Sequence, residues 1–178
     1  MRRDRRELCY HRVGMSQSTL QFCENAAAAP RSPGAYILRI ELTRPVGVVI
    51  AGRPPATLAA GHYLYCGSAY GPGGLRARLA RHMRRDKSMH WHIDQLTGRG
   101  AVIGAWIMIG GSECDLVARL EALAAPIPGF GSSDCPNCRS HLLRAPDSSE
   151  LRGALSSANT GRAPLAVQQG VTTTNRPR

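Results

Sequence analysis

Apolar and polar positions alternate with period two through residues 35–42 (AYILRIEL), with Tyr36, Leu38, Ile40 and Leu42 on one face and Ile37 on the other. That pattern predicts a β-strand. A β-branched run, Val46–Ile50, follows across Thr43-Arg44-Pro45, and so short a connection predicts a hairpin. A third strand is expected at His62–Gly67, with Tyr63 and Tyr65 on one face and Leu64 and Cys66 on the other. From Leu75 to Arg85 the period changes. Leu75, Leu79 and Met83 recur at helical spacing, and Arg78, Arg81, His82 and Arg85 occupy the adjacent face. His90–Leu96 reads as a short helix start, Ala101–Ile109 as a buried strand, and Glu113–Ala124 as a helix with Ser112 as its N-cap. The order predicts a small α/β (α+β) domain whose mixed or antiparallel central sheet is flanked by helices.

Composition divides the chain into a flexible N-terminal extension (1–32), a folded domain (33–144) and a disordered tail (145–178). The tail contains no aromatic residue and cannot bury enough apolar surface to offset its chain entropy. Met15 is an alternative start. The arginines after Met1 resemble the opening of a signal peptide, but no apolar segment follows them, so a cytoplasmic location is expected. No apolar run reaches the ~20 residues that a membrane-spanning helix needs, so no membrane partner is expected. In a reducing compartment the six cysteines are expected as free thiols or metal ligands.

The net charge of +11 points to a polyanionic partner. All but one of the 23 basic residues are arginine, the exception being Lys87. Guanidinium is a planar, permanently charged fork that matches phosphate. Five basic residues crowd into segment 75–85. Arg76, Arg81, Arg84, Arg85 and Lys87 read either as ordinary solvated charges or as phosphate-tracking contacts to nucleic acid.

Two tyrosine–glycine elements, Gly34-Ala35-Tyr36 and Tyr65-Cys66-Gly67, are expected on neighbouring strands. Behind the second, the glycine-rich turn Gly71-Pro72-Gly73-Gly74 delivers the arginine-bearing helix. These glycines serve turn geometry through positive φ, or line an amide approach to phosphate at the helix N-terminus. Phosphodiester hydrolysis needs such groups: a phenol to hold or deprotonate water, a guanidinium facing the phosphoryl oxygens, and a carboxylate holding a divalent metal.

The ordered pieces Pro33-Gly34-Ala35-Tyr36, Tyr65-Cys66-Gly67-Ser68-Ala69, Arg78 with His82, Lys87, His90-Trp91-His92-Ile93-Asp94, Glu113-Cys114 and Pro128 through Cys135 resemble the GIY-YIG nuclease superfamily. More closely, residues 33–144 look like a stand-alone branch of it formerly without an assigned function. The resemblance implies a metal-dependent endonuclease acting on DNA or RNA, with Mg2+ or Mn2+ as cofactor. It assigns Tyr36 and Tyr65 to the signature tyrosines, Arg78 to the catalytic arginine, His82 to an assisting histidine and Glu113 to the metal carboxylate, with Glu121 as a substitute. Three departures stand out. Ala35 replaces the usual isoleucine, the turn from Gly67 to Arg78 is long, and His90-Trp91-His92 has no superfamily role.

His90, His92, Asp94 and Cys135 form a branch-specific candidate site, although helical geometry would point the two histidines apart. Trp91 and Ile93 read as core anchors. Cys135-Pro136-Asn137-Cys138 with His141 is half of a zinc signature, and Cys114 or Cys66 could complete it in space. Without a second pair in sequence, the spacing argues against zinc. Two other function classes stay open: a catalytically inactive nucleic-acid-binding module with the same fold, and a zinc or thiol-redox protein built on Cys135 and Cys138.

Overall fold

The computed structural model describes residues 19–133, 135–146 and Leu155. The readings of residues 1–18 as leader, of Met15 as a start and of most of the tail therefore lie outside the described residues. The chain order is β1 (Gln21–Cys23), a 3-10 turn (Ala26–Ala28), β2 (Gly34–Leu42), β3 (Val46–Val48), β4 (Ala56–Leu58), β5 (Gly61–Ser68), α1 (Gly74–Met83), α2 (Asp94–Thr97), β6 (Ala101–Ile109), α3 (Glu113–Leu120), β7 (Ala125–Pro126) and β8 (Leu142–Arg144).

Six strands form one antiparallel sheet in the order β1-β6-β2-β5-β8-β7, and β3 pairs with β4 in a separate ribbon. The domain is thus α+β, with an antiparallel central sheet. The predicted hairpin between β2 and β3 does not form. β2 lies between β5 and β6, so both its backbone edges are already used, and β3 pairs forward with β4.

The alternation in the sequence becomes two cores. Tyr36, Leu38, Ile40 and Tyr63 face α1, α2 and the β3–β4 ribbon, together with Leu75, Leu79, Ile93 and Leu96. Ala35, Ile37, Leu64 and Cys66 face the other way, onto Leu116, Val117 and Leu120 of α3. Leu155, from the segment read as tail, is buried in this second core.

Residues 19–32, read from sequence as leader, also contribute to the fold. β1 pairs with β6, and the 3-10 turn is capped by Asn25, whose side chain accepts the Ala28 N–H at 3.1 Å. Segment 29–32 then closes the start of α1. Leu75 N–H donates to the Ser32 carbonyl at 3.0 Å, Arg76 N–H to Pro30 at 2.9 Å, and the Arg76 Nε to Ala29 at 2.7 Å. Gly73 and Gly74 have φ of 80° and 57°, and a Cβ on Gly74 would collide with the Arg31 and Ser32 carbonyls. The glycine turn is therefore a packing device. The amides that a phosphate would need there are already bonded to carbonyls.

Candidate active site

A cleft of about 580 Å³ opens where β2 begins and β5 ends, between α1 and the N-terminus of α3. Tyr36, Tyr65, Arg78, His82 and Glu113 all line it, as do His90, His92 and Cys135. The sheet register brings the tyrosines close. Tyr36 sits opposite Gly67 and Tyr65 opposite Leu38, so the two phenols are diagonal neighbours on one face. Gly67 has to be glycine, because a Cβ there would fall on the Tyr36 hydroxyl.

Tyr36 and His82 form a buried pair, with the phenol oxygen 2.8 Å from His82 Nε2. Burial pushes the Tyr36 hydroxyl well above its usual range. The neighbouring Tyr65 adds to this and Arg78 opposes it, so Tyr36 is protonated at neutral pH. For His82, burial first and the Lys87 ammonium second hold the imidazole at about 3; Asp94 pulls the other way, and Arg78 and Arg81 add to the lowering. A protonated phenol therefore meets a neutral imidazole. Tyr65 is only half-buried, which makes it the more accessible phenol of the two.

Trp91 organises the basic face. The Arg78 guanidinium lies 4.3 Å from its ring centroid and that of Arg81 lies 4.1 Å away, while the His82 ring approaches at 5.5 Å. Cation–π contact fixes Arg78 at the cleft wall without using its N–H donors, which show no hydrogen bond among the described residues and can meet an anion. Read from sequence as a core anchor, Trp91 is half-buried and lines the cleft. No spacing rule could have shown this, because the contact joins a helix to a turn that lies beyond its end.

The other basic residues divide. Arg81 is committed to Asp94 through two bonds of 3.0 Å, and the same carboxylate accepts the His90 and Trp91 amides at 2.9 Å each. Burial opposes ionisation of Asp94, but Arg81 and these two amides outweigh it and hold the carboxyl at about 2. Lys87 has a side chain only 3% exposed, and its Nζ donates to the His82 and Arg84 carbonyls at 2.8 Å each. A tetrahedral ammonium suits two converging carbonyls at a helix end, a fitting role for the chain's one lysine. Arg76 and Arg85 are exposed. Asp94 is thus a structural partner of Arg81. His90 and His92 sit in the turn before α2, outside any metal-binding cluster found among the described residues.

The expectation about cofactors, Mg2+ or Mn2+ with zinc argued against, needs correction. Cys114, Cys135, Cys138 and His141 present ligand atoms that all lie within 4.8 Å of one another. Three thiols and an imidazole are a zinc-type donor set. The half-signature at Cys135 and Cys138 was visible in the sequence. The sequence also offered His141 and, in space, Cys114 or Cys66; the structure selects Cys114, from the first turn of α3, and places His141 immediately before β8. The thiols differ electrostatically. Burial and the two neighbouring thiols push Cys138 up to about 12. At Cys135 burial is outweighed by the Asn137 and Cys138 amides and the adjacent thiols, which bring it below its ordinary value.

The arrangement is an α+β domain whose central sheet presents two phenols, helix α1 an imidazole and a stacked guanidinium, and helix α3 one carboxylate, to a single cleft. The chain belongs to the family described as Domain of unknown function DUF123, which matches residues 35–162 and so extends past the boundary of 144 expected from composition. No curated protein and no solved structure matches it. Among the described residues no helix is long and apolar enough to cross a membrane.

Proposed function

We propose that this chain hydrolyses phosphodiester bonds in nucleic acid, DNA in the first instance, as a GIY-YIG-like endonuclease. The observation that carries the reading is the convergence of Tyr36, Tyr65, Arg78, His82 and Glu113 on one cleft. These residues come from β2, β5, α1 and α3, and they are the same five that the resemblance singles out.

The chemistry follows from the environments. A phosphate oxygen meets Arg78, whose plane Trp91 has already set, so charge that builds on the phosphoryl group finds a fixed partner. A water held by the Tyr65 hydroxyl attacks phosphorus, and the bond to the leaving sugar oxygen breaks. The water proton passes to Tyr36 as Tyr36 gives its own proton to Nε2 of His82, and the leaving oxygen takes a proton from solvent. Bound phosphate offsets the Lys87, Arg78 and Arg81 charges that help to depress His82, making the imidazole a better acceptor when substrate is present. Glu113 is the only carboxylate among the described residues of the cleft.

The test uses a labelled duplex, with binding and cleavage measured together. Arg78→Ala and Glu113→Ala should each lose cleavage by ~100-fold or more while remaining folded. Full cleavage by both variants would refute these roles. Salt-dependent binding with no cleavage by the wild type would instead establish a binding module on the same fold.

A further inference from the structure

We propose that Cys114, Cys135, Cys138 and His141 together hold one structural zinc ion, which fixes the wall of the cleft that carries Glu113. The spacing suits one ion. Ligands placed ~2.3 Å (sulfur) and ~2.0 Å (nitrogen) from a tetrahedral zinc lie ~3.5–3.8 Å from each other. Here the Cys114 and Cys135 sulfurs are 3.6 Å apart, and no pair of ligand atoms in the set exceeds 4.8 Å. A disulfide needs ~2.05 Å, and all these cysteines are free. Soft thiolates with an imidazole select zinc over hard cations. Four protein ligands fill the tetrahedron and leave no position for water, so the ion is structural rather than a Lewis acid.

The position of the cluster gives the ion its task. From Ile127 to His141 the described chain has no helix or strand, and a connection of that length needs an anchor of its own. His141 is already tied to the sheet, since its carbonyl accepts the Cys66 N–H at 2.9 Å and its N–H donates to the Phe130 carbonyl at 2.9 Å. Cys135 and Cys138 come from the loop, and Cys114 directly follows Glu113 at the opening of α3. One ion would join loop, sheet and helix at the point where Glu113 enters the cleft.

The experiment uses the full chain, purified anaerobically with reductant. Metal analysis should find one zinc per chain. Replacement by Co2+ should give a near-ultraviolet thiolate-to-metal band and the strong visible bands of a tetrahedral site. Removing the metal should lower Tm by ~10 °C or more. Cys138→Ser should weaken Co2+ affinity at least 100-fold; if that variant fails to fold, the wild-type stoichiometry and spectrum still decide the matter. Less than a tenth of an equivalent of zinc, a weak six-coordinate cobalt spectrum, or a Cys114–Cys135 disulfide in the reduced preparation would each overturn the proposal. None of these readouts depends on cleavage, so a failure here is distinct from a failure of the nuclease reading.

Discussion

Replacing Asp94 by asparagine tests the support beneath the cleft's arginine. Asparagine is nearly the same shape, and its carbonyl can keep the His90 and Trp91 amides that now share Oδ2. Its NH2 group would then face Arg81 Nη1, donor against donor, where Oδ1 now accepts at 3.0 Å. The change isolates the charge. A carboxyl held at about 2 rather than at its ordinary 3.8 stabilises the folded chain by about 2 kcal/mol once ionised. Little of this is screened, since the Asp94 side chain is 1% exposed and that of Arg81 24%. Because the folded carboxyl binds its proton more weakly than the unfolded one, the stabilisation is complete above pH 3.8 and is lost as pH falls through 2. Urea unfolding of both proteins, followed by far-ultraviolet circular dichroism, should give a difference of about 2 kcal/mol at pH 7 that shrinks below pH 4. His82 adds a slope of its own at higher pH to both proteins, so the difference between them is the diagnostic quantity. A gap under ~0.5 kcal/mol at pH 7, typical of an exposed ion pair, would refute the reasoning. So would a gap that persists unchanged at pH 2.

Three other perturbations probe the cleft. Trp91→Ala removes the aromatic face beneath Arg78; a contact of ~1–2 kcal/mol predicts a fall in kcat of roughly 5–30-fold, with KM little changed, and an unchanged kcat would remove Trp91 from the positioning role. Gly67→Ala forces a methyl group onto the Tyr36 hydroxyl and should destabilise the fold by ~1–3 kcal/mol, read as a lower urea midpoint. His82 stays neutral in the folded chain down to about 3, so its imidazole nitrogen resonances should not titrate between pH 5 and 8. Folding stability should fall as pH drops from 6.5 towards 3, because the unfolded histidine takes up a proton that the folded one refuses, and His82→Gln should flatten that slope.

The parts of the fold legible in the sequence were those whose own period sufficed. β2, β5, β6, α1 and α3 each carry enough alternating or helical positions to declare a type. The three-residue strands β1, β4 and β8 and the two-residue β7 carry too few positions to show a period, so only pairing defines them. The failed β2–β3 hairpin has the same root. A short connection favours neighbours in sequence, but the near-continuous burial of β2 reflects a central strand already flanked on both sides. In the site, the phenols, Arg78, His82 and Glu113 belong to motifs with order along the chain. The Trp91 stack, the Arg81–Asp94 clamp and the choice of Cys114 rather than Cys66 to join Cys135, Cys138 and His141 depend on segments that carry no mutual spacing, and only the folded chain brings them together.

The two outermost strands of the main sheet have a consequence for how the protein behaves at high concentration. An open sheet edge is a template for another chain, and long flat edges drive edge-to-edge aggregation. Here one edge is β1, three residues long, and the other is β7, two residues ending in Pro126, which has no N–H to offer. The long strands β2, β5 and β6 all lie inside this border. Among the described residues, the centres of β5 and β6 are thus covered by short strands that offer few backbone groups to a neighbouring chain.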